Sequence, residues 1–176
     1  MEPVELEDRQ IQLPAKPWAV EGTKDTRRNL VTSIYLEPDQ LEEHQRRMEA
    51  KYLRVQNQEW RHELYEADDA EVLLVGYGIV SRVLRSTVEE ARREGMRVGL
   101  FRPITLWPFP SKALVKVTTR VQKVVVVELS NGQMVEDVRL ALNGRVPVEF
   151  YGRVGDNVPS VEEIHAELTA HAALLV

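Results

Sequence analysis

Cysteine is absent from this 176-residue chain. Disulfides, cysteine-ligated zinc and iron–sulfur clusters held by thiolates of this chain are thereby excluded. The composition suits a reducing compartment. Long apolar runs are missing as well, and none approaches the roughly 20 residues of a membrane helix. The acidic beginning MEPVELEDRQ has neither the basic region nor the apolar stretch of a signal peptide, so the expected location is the cytoplasm. Positive charge is in deficit: 23 Lys and Arg face 28 Asp and Glu, a net charge of −5. Nucleic-acid phosphates would find no basic excess to neutralise them. The basic pairs Arg46-Arg47 and Arg92-Arg93 lie among glutamates and read as solvated helix faces. With 43% hydrophobic and 29% charged residues, the chain is nevertheless globular in balance.

Three regions follow one another. Residues 1–37 carry Pro3, Pro14 and Pro17 with no steady apolar period, which predicts an extended arm. Within it, PAKPWAV presents Trp18 as a segment laid across another surface would. Residues 38–69 read as one long helix from Pro38 to about Glu66, roughly 44 Å long at 1.5 Å per residue. Pro38 suits its first turn, and Asp39, Glu42 and Glu43 complement its dipole. Leu41, Met48, Tyr52, Val55, Trp60 and Leu64 form a thin apolar stripe, so the helix is expected to reach another subunit or domain. Residues 70–176 alternate strand and helix. EVLLVGYG, MRVGLF, QKVVVVEL and VPVEFYG are the strands; helices follow each, with capping boxes at Ser130/Gln133 and Ser160/Glu163 and a cap at Ser111. This alternation predicts a three-layer α/β/α fold around a mainly parallel sheet.

Ligands of such sheets gather at the carboxyl ends of the strands, here GYG, FRPITLWPFP, ELSNGQ and FYGRVGDN. Gly76-x-Gly78 invites a dinucleotide, but Ser81 stands at the third glycine position and no acid follows Phe101-Arg102 to hold a ribose. Glycines serving a tight strand-to-helix turn are the preferred reading. No P-loop and no G-x-S-x-G elbow occurs. His44 and His62 are eighteen positions apart and His165 and His171 six apart, neither a metal-binding spacing. Glu128, closing a buried strand, is expected to accept backbone amides from a neighbouring turn rather than to catalyse. The residues thus describe an α/β domain with contact edges and no catalytic constellation. Three prolines, Trp107 and Phe109 make RPITLWPFP the most prominent edge.

GLFRPITLWPFP, VVVVELSNGQMVEDVRLAL and VEFYGRVGDNVPS resemble the α subunit of 2-oxoacid:ferredoxin oxidoreductases. KPWAVEGTKDTRRNLVTSIYLEPDQLEEHQ is most similar to the 2-ketoisovalerate branch, and the resemblance runs from about Pro14 to Ile164. It implies a transketolase C-terminal-like fold, and a complex that decarboxylates a 2-oxoacid on thiamine diphosphate, forms acyl-coenzyme A and reduces ferredoxin. The sequence corresponds to the second domain of that subunit with its preceding linker and helix, as a piece of a longer chain or a separately encoded one. Thiamine diphosphate, magnesium and iron–sulfur clusters are expected in the complete complex and none on this chain alone. The implied partners are β, γ and δ-type subunits, with ferredoxin and coenzyme A engaged through the complex. Family members often carry Asn where Ser130 stands and a second glycine where Asp156 stands, which weakens any ligand role for those loops.

The expected function is therefore subunit assembly around a thiamine site, with no catalytic residue in the chain and no activity of the chain alone. Arg102, Trp107, Phe109, Trp18 and Trp60 are the expected interface residues. A module binding a nucleotide or coenzyme A at the strand ends is the alternative, and a transketolase-like domain of another thiamine enzyme a third.

Overall fold

A computed structural model of the chain describes residues 12–30 and 32–172, the side chains of 170–172 excepted. It comprises two compact units, Met1–Arg46 and Arg47–Val176.

The described part of the first unit contains loops, a single 3-10 turn over Asp25–Arg28 and the start of the first helix. Local polar bonds shape it. The Asn29 side-chain amide donates to the carbonyls of Pro17 and Ala19, both at 2.9 Å, and so fixes the turn that carries Trp18. Tyr35 stacks on His44 with ring centroids 4.7 Å apart.

Helix α1 spans Pro38–Gln58, starting at the expected proline. It ends well before the expected limit near residue 66, and this is a correction. Residues His62–Tyr65 instead form strand β1, antiparallel to β3 (Val98–Pro103). Glu63 lies opposite Arg102 in the register with its carboxylate 2.8 Å from the guanidinium. Pairing with β3 outweighs a helix propensity that amounts to only tenths of a kcal/mol per residue. The α/β sheet consequently begins before residue 70, and Leu64 belongs to it rather than to the helix stripe.

The other elements follow the expected order: β2 (Val72–Val75), α2 (Gly78–Arg93), β3, α3 (Ser111–Val117), β4 (Lys123–Glu128), α4 (Met134–Leu142), β5 (Val148–Gly152) and α5 (Val161–Ala172). The sheet order is β1-β3-β2-β4-β5, parallel throughout except for β1. Alternation along the strands sends apolar residues to both faces. Leu73, Val75, Phe101, Val124 and Val126 pack with Leu114 of α3 and Val138 and Leu142 of α4. Leu74, Leu100, Val125 and Val127 pack with Val80, Leu84 and Val88 of α2 and Ile164 and Leu168 of α5. All six residues of β4 are buried, as a strand covered on both faces must be.

The caps divide. Ser160 and Glu163 form the expected reciprocal box: the Ser160 amide donates to Glu163 Oε2 at 2.9 Å and the Glu163 amide to Ser160 Oγ at 3.2 Å. Ser111 is instead the first residue of α3, after a Pro110 cap with no side-chain bond. The box at Ser130/Gln133 does not form either, because another acceptor already holds the first amides of α4.

At Gly99 the backbone after β1 passes close over β3. A Cβ there would lie 2.6 Å from the Glu66 carbonyl oxygen and 2.8 Å from Ala67 Cα, both backbone atoms. Gly99→Ala is therefore expected to cost about 1–3 kcal/mol, read as a lower urea midpoint at unchanged slope. A midpoint equal to that of the unaltered protein would contradict this packing.

Candidate functional site at the carboxyl end of the sheet

The carboxyl end of β4 holds the acceptor that displaced the capping box. Glu128 is 1% exposed. Its Oε2 accepts the amides of Gln133 (3.2 Å) and Met134 (2.9 Å) and the hydroxyl of Ser130 (3.1 Å), while Oε1 accepts the Val135 amide (2.9 Å). Ser130 Oγ in turn accepts the Gly132 amide at 3.1 Å. The strand thus ends in a carboxylate placed on the positive end of the next helix, the amide-accepting role its position suggested. Asp137, one turn along α4, feels the consequence: burial, and then the negative charge of Glu128, raise its pKa above the usual carboxylate value. Because the folded value exceeds the unfolded one, ionised Asp137 opposes folding, and stability is lost as pH rises through its folded-state pKa.

At the end of β2, the glycine pair serves packing. A Cβ on Gly76 would meet Leu84 Cδ1 at 2.5 Å and Val80 Cγ1 at 3.1 Å, so α2 lies directly on it. Gly78 opens α2 at φ +58°, which glycine alone adopts freely. At the far loop, Asp156 occupies the left-handed region at φ +62°, a conformation that aspartate tolerates better than most residues.

After β3, the turn Arg102–Pro110 is held from within. Thr105 Oγ1 accepts the Arg61 amide at 2.9 Å and donates to the Pro108 carbonyl at 2.8 Å. The Ile104 amide bonds the Arg61 carbonyl at 2.9 Å. Pro103, Pro108 and Pro110 are buried and the Trp107–Pro108 peptide is cis. Trp107 is 57% exposed, whereas Phe109 is half-buried and packs against the α3/α4 core. Tyr52 of α1 meets Trp107 edge-on, centroids 5.8 Å apart. Trp60, Trp107, Phe109 and Leu140 line one cleft of about 430 Å³, and Leu140 is 80% exposed. The structure therefore brings three of the five expected interface residues together. Arg102 sits on β3, paired to Glu63, and Trp18 belongs to the first unit. Tyr52, Thr105 and Leu140 were missed; only Tyr52 carried a signal, its place on the helix stripe.

No metal chemistry is built here among the described residues: no group of three His, Cys, Asp or Glu could share an ion. His62 stacks on Phe101 at 5.2 Å, its pKa lowered by burial. His165 Nε2 lies 3.0 Å from Glu94 Oε2, and the His171 side chain lies outside the described residues. The first amides of α4 are committed to Glu128 and are therefore not free to hold a bound anion.

A protein-family model described as pyruvate:ferredoxin oxidoreductase core domain II matches residues 70–164. The chain belongs to this family. Among curated core domain II relatives, the ketoisovalerate oxidoreductase subunits VorB of Methanothermobacter thermautotrophicus and Methanothermobacter marburgensis are 44% and 43% identical over 164 residues, 93% of this chain and 46% of theirs. The 2-oxoglutarate synthase subunit KorA of Methanothermobacter marburgensis is 34% identical over 97 residues, 55% of this chain and 26% of its own. The chain spans about half the length of the ketoisovalerate relatives, at 46%. A solved 2-oxoglutarate:ferredoxin oxidoreductase from Magnetococcus marinus, with 2-oxoglutarate, coenzyme A and succinyl-CoA bound, shares the fold at a TM-score of 0.72 and 21% identity, covering 86% of this chain and 28% of that one. A split-gene transketolase, an inactive β4 tetramer, gives a TM-score of 0.53 at 19% identity over 65% of this chain and 42% of that one. The core domain II match bears out the family resemblance, and the mainly parallel sheet with helices on both faces, together with these solved neighbours, bears out the α/β, transketolase-like architecture read from the sequence.

Replacing Glu128 by Gln tests its role as a charged clamp. The variant is expected to lose about 2–3 kcal/mol of stability and to lower the Asp137 pKa toward its ordinary value, followed by carbon-detected NMR titration. An unmoved Asp137 titration would show that Glu128 carries no charge in the folded protein.

Proposed function

We propose that this chain is the C-terminal, non-catalytic domain of the α-type subunit of a 2-oxoacid:ferredoxin oxidoreductase acting on a branched-chain 2-oxoacid. The observation that carries this reading is the 44% identity to a ketoisovalerate oxidoreductase subunit over 93% of the chain. The whole enzyme would oxidatively decarboxylate its 2-oxoacid to an acyl-coenzyme A and pass the electrons to ferredoxin. Thiamine diphosphate, magnesium and iron–sulfur clusters would be held by other domains and by β, γ and δ-type subunits, in the cytoplasm. The part proposed for this chain is to join those polypeptides.

Several features support that part. Rigid proline-framed backbone presents Trp107 with little ordering entropy left to lose on contact, and a large exposed aromatic beside Tyr52 and Leu140 has the composition of an interface anchor. Phe109 supports the ridge from the core side. Arg102 stiffens its base through Glu63, Trp60 extends the apolar surface, and Trp18 offers a separate contact on the first unit. A nucleotide or coenzyme A at the strand ends is less well supported, since Glu128 already takes the α4 amides.

The two aromatic positions should separate on mutation. Trp107→Ala is expected to keep the thermal midpoint and to weaken co-purification with co-expressed partner subunits. Phe109→Ala is expected to lower stability by about 2 kcal/mol or more, because a partly buried aromatic is lost from the core. Full retention of partners by Trp107→Ala would exclude the ridge as an anchor.

A further inference from the structure

A second surface runs beside the sheet rather than at its end. Between α3 and β1 lies a groove of about 600 Å³. Its floor is apolar and mostly small: Leu64, Ala67, Ala70, Ala113 and Val117. Trp60 and His62 close one end, and burial keeps His62 below its ordinary pKa, so the floor adds no charge at neutral pH. Along one rim stand Lys112, Lys116 and Arg120, all exposed. Lys112 and Lys116 stand one turn apart on α3, about 6 Å along its axis, and Arg120 lies just past the end of that helix. Among the described residues Lys116 and Arg120 have no acidic partner, and Lys112 makes only a hydrogen bond to Asn57 Oδ1 at 3.3 Å. Asp68 is the single acid in the lining. In a chain of net charge −5, this is a local positive rim on an apolar trough.

The architecture indicates the occupant. Helices α3 and α4 pack side by side over the central strands, while on the same face Leu64 of β1 remains 45% exposed. A helix lying over β1 on that face would extend the α3/α4 layer. The groove extends from Trp60, next to the carboxyl end of β3, to Ala70 and Arg120, just before β2 and β4 begin. Small ligands of open α/β sheets sit outside the strand ends, whereas this trough flanks the sheet over its height. Alanines let another backbone approach closely, and the basic rim selects negative charge.

We propose that this groove receives an acidic amphipathic helix of another polypeptide, its apolar stripe on the alanine floor and its carboxylates against Lys112, Lys116 and Arg120. The proposal rests on the assembly reading above and adds the chemistry of the partner.

The probes are a synthetic helical peptide with a leucine stripe flanked by glutamates at every fourth position, its lysine-bearing counterpart, and inorganic tripolyphosphate, each titrated into the full chain by amide NMR. The glutamate peptide is expected to shift signals within 60–70 and 112–120 and to weaken about tenfold or more when Lys112, Lys116 and Arg120 are all changed to Glu. That variant, changed only at exposed side chains, should keep its circular dichroism and thermal midpoint, and should prefer the lysine peptide. Failure of the glutamate peptide to bind, equal binding of both peptides, insensitivity to the charge reversal, or binding of tripolyphosphate alone would each overturn the proposal. Trp107→Ala should bind the glutamate peptide normally. Loss of partner subunits without loss of peptide binding, or the converse, therefore identifies which of the two readings fails.

Discussion

The buried carboxylate of Glu128 is the interaction on which this end of the molecule turns. It closes β4, the strand covered on both faces, and takes three backbone amides and one hydroxyl. A buried charge of this kind is tolerable only when its lone pairs are filled, because an isolated carboxylate in an apolar interior costs several kcal/mol. Filling them demands the tight turn at Ser130–Gln133 and fixes where α4 begins. That helix then lies against α3 to complete one layer, and Gly152 of β5 passes so close that a Cβ would sit 2.7 Å from the Ser130 carbonyl oxygen. The same clamp has a chemical consequence. Helix N-termini at the ends of parallel strands are ready anion sites, and here the protein supplies its own anion.

A related economy governs the neighbouring loop. Thr105 links Arg61 to Pro108, so the turn after β3 is tied to the segment entering β1. The prolines face inward and Trp107 outward. Rigid backbone, one exposed indole and an adjacent Tyr52 together make a surface ready to be covered. One strand end thus has its amide donors occupied from within, and the other presents an exposed aromatic side chain.

Much of this was legible in the residues. The continuous apolar run in β4, the 3.6-residue period of α2 and the box at Ser160/Glu163 translate directly into structure, because in each the local pattern and the tertiary packing agree. Strand β1 was hidden: HELY is four residues of mixed charge following a helix, and its identity depends on the free edge of β3 about forty residues away. Ser130/Gln133 has the spacing of a capping box, yet Glu128 reaches the same amides first. Trp107 and Phe109 look equivalent in sequence, and only packing separates the exposed one from the half-buried one. The basic groove left no linear signature, since its walls come from β1, the β1–β2 loop, α3 and the residues after it.

The central claim is that this domain contributes contacts and positioning while the chemistry lies on other domains and subunits of the proposed oxidoreductase. It is tested most directly by the turnover rate per assembled particle of the reconstituted oxidoreductase carrying Trp107→Ala, with assembly quantified by sedimentation in the same samples. The account predicts fewer assembled particles and an unchanged kcat for those that form. A kcat that falls while assembly remains complete would contradict it and place Trp107 in the catalytic machinery.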